Sequence, residues 1–193
     1  MNRAAGLAIA VLALAACSRG ERRSAQTESA AAAQSGAPIA DEPLDTVSWP
    51  RFTLRVPHGT RRKVSEECPG GRLVGPAARD SAGRSLPRFD LCVESHAKAA
   101  DQPLAAWVDS VRTDRNRTLD ADARLDPADT VTVGTAPMLR LLLPCGDCES
   151  FEYYAAAGDR VAVFAFATGA HLAGNRDGQQ AAHLAVLRTL RWR

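Results

Sequence analysis

No stretch of the sequence is apolar for long enough to cross a bilayer. The N-terminal run of residues 4–16 is uncharged and mostly Ala, Leu, Ile and Val, whereas a spanning helix needs about 20 such residues. Charge of one sign is not in excess either. The 24 Lys and Arg face 22 Asp and Glu, for a net +2, a balance that points to neither nucleic acid nor an acidic partner. The short motifs that announce catalysis are missing: there is no Gly-x-Ser-x-Gly elbow, no Walker loop and no His-Glu-x-x-His pair. The four histidines, His58, His96, His171 and His183, are dispersed without metal-ligand spacing. No metal and no cofactor is therefore expected, and no catalytic residue is named. Asp120, Asp122 and Asp126 sketch a calcium loop but lack its central Gly and terminal Glu, so they read as a solvated acidic loop.

What is present begins at the N-terminus. Arg3 precedes the apolar run of residues 4–16, which has the length of a signal-peptide h-region with small residues before the cut. The run ends on Leu14-Ala15-Ala16-Cys17. That motif resembles the bacterial lipobox read by the lipoprotein-processing enzymes. The resemblance implies a diacylglyceryl group on the Cys17 thiol, cleavage before Cys17 and a further acyl chain on the freed amine. Each buried CH₂ contributes about 0.8 kcal/mol, so two or three chains hold a protein stably on a membrane. By resemblance to Gram-negative lipoproteins, Ser18 in place of Asp directs the protein to the outer membrane, facing the periplasm. Three segments are expected: a lipoprotein signal peptide over 1–16, a flexible tether over 17–45 and a single domain over 46–193.

The tether is rich in Ala, Ser, Gln, Glu and Arg and holds no aromatic residue. Such a composition buries too little apolar surface to offset its ordering entropy. A coil of this length reaches roughly 30 Å. Arg19, Arg22 and Arg23 read as solvated linker charges.

Five cysteines are present. With Cys17 assigned to lipid, Cys68, Cys92, Cys145 and Cys148 remain, and an even remainder in an exported chain favours two disulfides. A tight turn at Gly146-Asp147 holds Cys145 and Cys148 within about 7 Å, inside the reach of a disulfide. Cys68 then pairs with Cys92. The alternative makes Cys145 and Cys148 a thiol/disulfide redox pair or a zinc site. A redox pair normally opens a helix, however, and zinc wants four ligands.

The remaining pattern is α+β. Phe52, Leu54 and Val56 alternate with polar residues, as do Phe89, Leu91 and Val93, so both stretches read as half-buried strands. Short strands are expected at 63–67 and 73–74, separated by Pro69-Gly70-Gly71, with a loop over 77–87. Leu104, Trp107, Val108 and Val111 form one helical stripe behind Pro103, with Trp107 as a core anchor. Strands follow at 130–133, 137–143, 151–155 and 161–167. The last is apolar on both faces and is expected at the centre of the sheet. Asp177 and Gln180 suggest a capping box for a terminal helix that buries His183, Val186, Leu187 and Leu190. Residues 190–193 close the chain as a short strand.

The order of these elements and several local strings resemble the PsbP-like fold. The strings are Phe-Thr-Leu-Arg-Val-Pro, a Pro-Leu-x-x-Trp helix, Val-Thr-Val-Gly-x-Ala-Pro-Met-Leu-Arg and the closing Leu-Arg-Trp-Arg. The resemblance implies a mostly antiparallel sheet with two helices packed on it. Its members, among them the extrinsic photosystem protein and a yeast Ran-binding import regulator, work mainly as binding or assembly factors. The expectation is an outer-membrane lipoprotein without enzymatic activity that binds a protein partner of the envelope.

Overall fold

The computed structural model describes residues 42–143 and 148–193. The signal segment, Cys17, nearly all of the tether and Cys145 lie outside the described residues. Strands β1 (Leu44–Ser48) and β2 (Phe52–Pro57) form a hairpin, followed by β3 (Arg61–Ser65) and β4 (Cys68–Val74). A small separate hairpin, β5 (Ala77–Arg79) and β6 (Ser85–Pro87), precedes β7 (Asp90–Ala97). Helix α1 (Leu104–Asn116) follows, then β8 (Asp129–Val133), β9 (Ala136–Leu143), β10 (Glu149–Ala157), β11 (Arg160–Thr168), helix α2 (Arg176–Leu187) and β12 (Arg191–Trp192).

The architecture is α+β. A seven-stranded sheet runs β3-β4-β7-β11-β10-β9-β8, and a three-stranded sheet runs β1-β2-β12. All strand pairs are antiparallel. β11 is the central strand of seven, as its two-sided apolar sequence requires. Val161 and Val163 pack on one face of it, Ala162, Phe164 and Phe166 on the other. The β10–β11 connection is two residues long, because Ala157 pairs with Arg160. Gly158 supplies the positive φ of 58° that such a tight turn needs.

The two faces of the large sheet are covered differently. One carries the larger core, where Phe52, Leu54 and Val56 of β2 and Val186 and Leu187 of α2 meet Leu91, Val93, Phe164 and Phe166. Each fully buried side chain of this size contributes about 1.5–3 kcal/mol. The other face carries a smaller core of Val108, Leu125, Leu141, Tyr154, Val161 and Val163 under α1. Asn116 pins the loop after α1: its side chain donates to the Leu125 carbonyl at 3.1 Å and accepts from the Leu125 N–H at 2.7 Å.

Several sequence expectations need correction. Pro69-Gly70-Gly71 does not separate two strands but lies inside β4. Gly70 is there because β7 passes too close for a side chain: a Cβ at Gly70 falls 2.1 Å from the Val93 carbonyl oxygen. Leu44 and Asp45, assigned to the tether, already pair with Pro57 and Val56 in β1. The expected loop over 77–87 folds back as the β5–β6 hairpin. Helix α2 is capped by Asn175, whose side chain accepts from the Gly178 N–H at 2.9 Å, so Asp177 sits in the first turn rather than at the cap. Trp107 is half-buried at the edge of the α1 core, not its anchor.

Candidate functional site

Strand alternation on β7 sends Leu91 and Val93 into the larger core and turns Cys92, Glu94 and His96 to the α1 face. On β10 the same alternation buries Tyr153 in the larger core and aims Glu152 and Tyr154 under α1. Helical spacing then brings Trp107, Val111 and Arg115 of α1 over them. Together these side chains line a cleft of about 170 Å³ between α1 and the sheet.

Its floor is a closed polar network. Glu152, only 8 % exposed, accepts from the Arg115 guanidinium at 2.7 Å and from the Tyr154 hydroxyl. A carboxylate buried this far needs such partners. The network fixes the charge state of Tyr154 and Arg115. Burial, the Glu152 charge and the hydrogen bond to it push the Tyr154 phenol far above its ordinary range. For Arg115, burial pulls downward, but the Glu152 hydrogen bond and charge prevail and raise its pKa. The floor therefore keeps its phenol protonated and its guanidinium charged at ordinary pH.

The rim is open. His96 Nε2 lies 2.8 Å from Glu94 Oε2, and both side chains are partly exposed. The Trp107 ring sits 5.8 Å from the His96 ring and 6.1 Å from the Tyr154 ring. Glu94 and His96 also border a second groove formed by Trp49, Pro50 and Pro69. There Arg62 lies over the Trp49 ring at 4.8 Å. The indole N–H of Trp49 donates to the Gly70 carbonyl at 2.7 Å. Aromatic faces with a small number of fixed polar groups are the ordinary lining of a recognition site.

Cys68 and Cys92 are joined in a disulfide between β4 and β7, with Cα atoms 5.8 Å apart. Cys92 thereby becomes part of the cleft wall. Cys148 is disulfide-bonded, while Cys145 and Cys17 lie outside the described residues. Among the described residues, no group of three or more His, Cys, Asp or Glu is arranged to hold a metal ion. His183 is fully buried: Asp90 N–H donates to its Nε2 at 3.1 Å and its Nδ1 donates to the Gln179 carbonyl at 2.7 Å. His58 pairs with Asp45 and does not line the cleft.

Motif reasoning did not single out Glu94, Arg115, Glu152 or Tyr154. The available signal was a polar residue on the inner register of an apolar strand, Glu152 within Phe151-Glu152-Tyr153-Tyr154. No short motif marks a site assembled from β7, β10 and α1.

No protein-family model matches the chain, and no curated protein matches it. Among solved structures, the chain is similar to the solution structure of cyanobacterial PsbP (CyanoP) from Synechocystis sp.. The likeness has a TM-score of 0.49 at 14% identity and covers 78% of this chain and 92% of that one. A likeness of this degree decides neither family nor activity.

Proposed function

We propose that the protein is a lipid-anchored module of the bacterial cell envelope, held through Cys17 at the periplasmic face of the outer membrane, that binds a protein partner and catalyses no reaction. The observation that carries the binding role is the cleft under α1. Its floor of Arg115, Glu152 and Tyr154 is mutually satisfied, so it offers rigid shape and fixed charge rather than a proton to transfer. Its rim of Glu94, His96 and Trp107 is open to solvent, and that is where a partner's side chains would seat. The disulfide state of Cys148 and the Cys68–Cys92 bridge support an oxidising compartment.

Site-specific photocrosslinking in intact cells tests this reading. A crosslinker at Trp107 or Glu94 should yield a discrete adduct with an envelope protein, and one at Ala82, in the β5–β6 hairpin and not among the residues lining the cleft, should not. Adducts of equal yield from both positions, or from neither, would remove the cleft from the binding role.

A further inference from the structure

The net charge of +2 conceals a strongly polarised surface. In the three-stranded sheet, register decides which side chains turn outward. Phe52, Leu54 and Trp192 pack into the larger core. Their neighbours therefore point away from it: Arg51, Thr53 and Arg55 on the β2 side, Arg191 and Arg193 on the β12 side. Thr53 pairs with Arg191, and the Arg193 N–H donates to the Arg51 carbonyl at 2.8 Å. On β1, the residues paired with Arg55 and Thr53 are Thr46 and Ser48. The outward face thus holds four exposed arginines and no acidic side chain. Among the described residues none of the four guanidiniums makes an ion pair; that of Arg193 donates to the Ser48 hydroxyl and that of Arg191 to the Leu190 carbonyl. Asp45, the acidic residue of β1, is on the inward row opposite Val56 and is engaged with His58.

Like charges set opposite each other, as Arg51 and Arg193 are, destabilise a sheet unless a counter-charge is supplied. Guanidinium groups match phosphate oxygens in charge and fork geometry, and clustered basic side chains are drawn to anionic lipid. The described chain also enters the fold through β1, a strand of this same sheet.

We propose that this arginine face rests on an anionic phospholipid surface and orients the domain on the membrane. The proposal builds on the reading of Cys17 as the anchor. It has a structural consequence. The three-stranded sheet and α1 lie on opposite faces of the large sheet, so docking the arginines turns the α1 cleft away from the membrane, toward a soluble or membrane-distal partner.

The test uses a chain begun at Ser18, which carries no acyl group and retains every described strand and helix. It is mixed with vesicles of phosphatidylcholine alone or of phosphatidylcholine with phosphatidylglycerol and sedimented at low and high salt. The expected result is binding to the phosphatidylglycerol vesicles only, released by salt. Arg51→Gln, Arg55→Gln, Arg191→Gln and Arg193→Gln combined should weaken that binding by about tenfold or more. The corresponding four-lysine variant should retain most of it and also controls for folding. Arg79→Gln with Arg124→Gln should leave it unchanged. Failure to sediment with phosphatidylglycerol vesicles would overturn the proposal, as would undiminished binding of the four-glutamine variant. Capture of an acidic envelope protein without vesicle binding would overturn it equally. Because the chain is not acylated, none of these outcomes depends on whether Cys17 is lipidated, which fractionation reads separately.

Discussion

Acidification should weaken the fold through one buried imidazole. His183 is 0% exposed, stacked on Phe166 at 4.0 Å between ring centroids and wedged between α2 and β7. Desolvation lowers its pKa from 6.5 to about 4, against the opposing pull of the Gln179 and Asp90 backbone and the Asp90 charge. The charged groups that face it are Asp90, engaged by Arg72 at 2.6 Å, and His171, which disfavours a second positive charge. The folded state therefore keeps His183 neutral while the unfolded chain binds a proton below about pH 6.5. Since the unfolded state then holds more protons, stability falls as pH falls. Its contribution is complete above pH 6.5, declines by about 1.4 kcal/mol per pH unit and is gone near pH 4. The total is about 3 kcal/mol, a large part of the margin of a domain this size. Urea unfolding followed by tryptophan fluorescence at a series of pH values measures it. His183→Asn keeps a donor toward the Gln179 carbonyl and removes the titration. It should cost about 2 kcal/mol at neutral pH from the lost ring and the unsatisfied Asp90 N–H, and its stability should be nearly flat between pH 6.5 and 4.5. An imidazole that titrates near 6.5 by NMR, or a variant as acid-sensitive as the wild type, would refute this account.

Four further outcomes follow from particular contacts. Cys92→Ser opens a bridge spanning 24 residues and should cost about 3 kcal/mol by the loop-entropy relation. Cys148→Ser should cost less if Cys148 closes a short loop with Cys145, and non-reducing peptide mapping that links Cys148 to Cys17 would contradict the pairing. Gly70→Ala forces a methyl group against the β7 backbone and should cost about 2–3 kcal/mol in thermal or urea unfolding; a neutral effect would mean that β4 and β7 separate easily. Arg115→Gln leaves Glu152 buried with Tyr154 as its remaining partner. Arg115 is itself 38% exposed, which screens the pair, so a loss of about 1–2 kcal/mol is expected, with unchanged stability at neutral pH as the contrary result.

The strands were readable where one face is buried and the other wet, as in Phe52-Thr53-Leu54-Arg55-Val56, because register then follows from alternation alone. The central place of β11 followed from its having no wet face. Reading failed where tertiary proximity outweighed local preference. Gly70 marks close backbone approach rather than a break, and the Asn175 cap is chosen by the turn at Gly174, where φ is 86°, over the capping-box pattern at Asp177. The cleft was least legible, since Glu94, Arg115, Glu152 and Tyr154 come from three elements and no spacing connects them. The arginine face was hidden for a related reason. A net charge sums over the chain, whereas β2 and β12 sort arginines to one side of a sheet.

The account's central claim, an envelope module anchored through Cys17, is tested most directly by the mass and location of the chain itself. Recovered from its bacterial host, the wild-type chain should begin at Cys17, carry diacylglyceryl and acyl groups on that residue and sediment with the outer membrane. Cys17→Ala should be unacylated and soluble. An N-terminus elsewhere, an unmodified Cys17, or a Cys17→Ala variant that still fractionates with the outer membrane would contradict the claim.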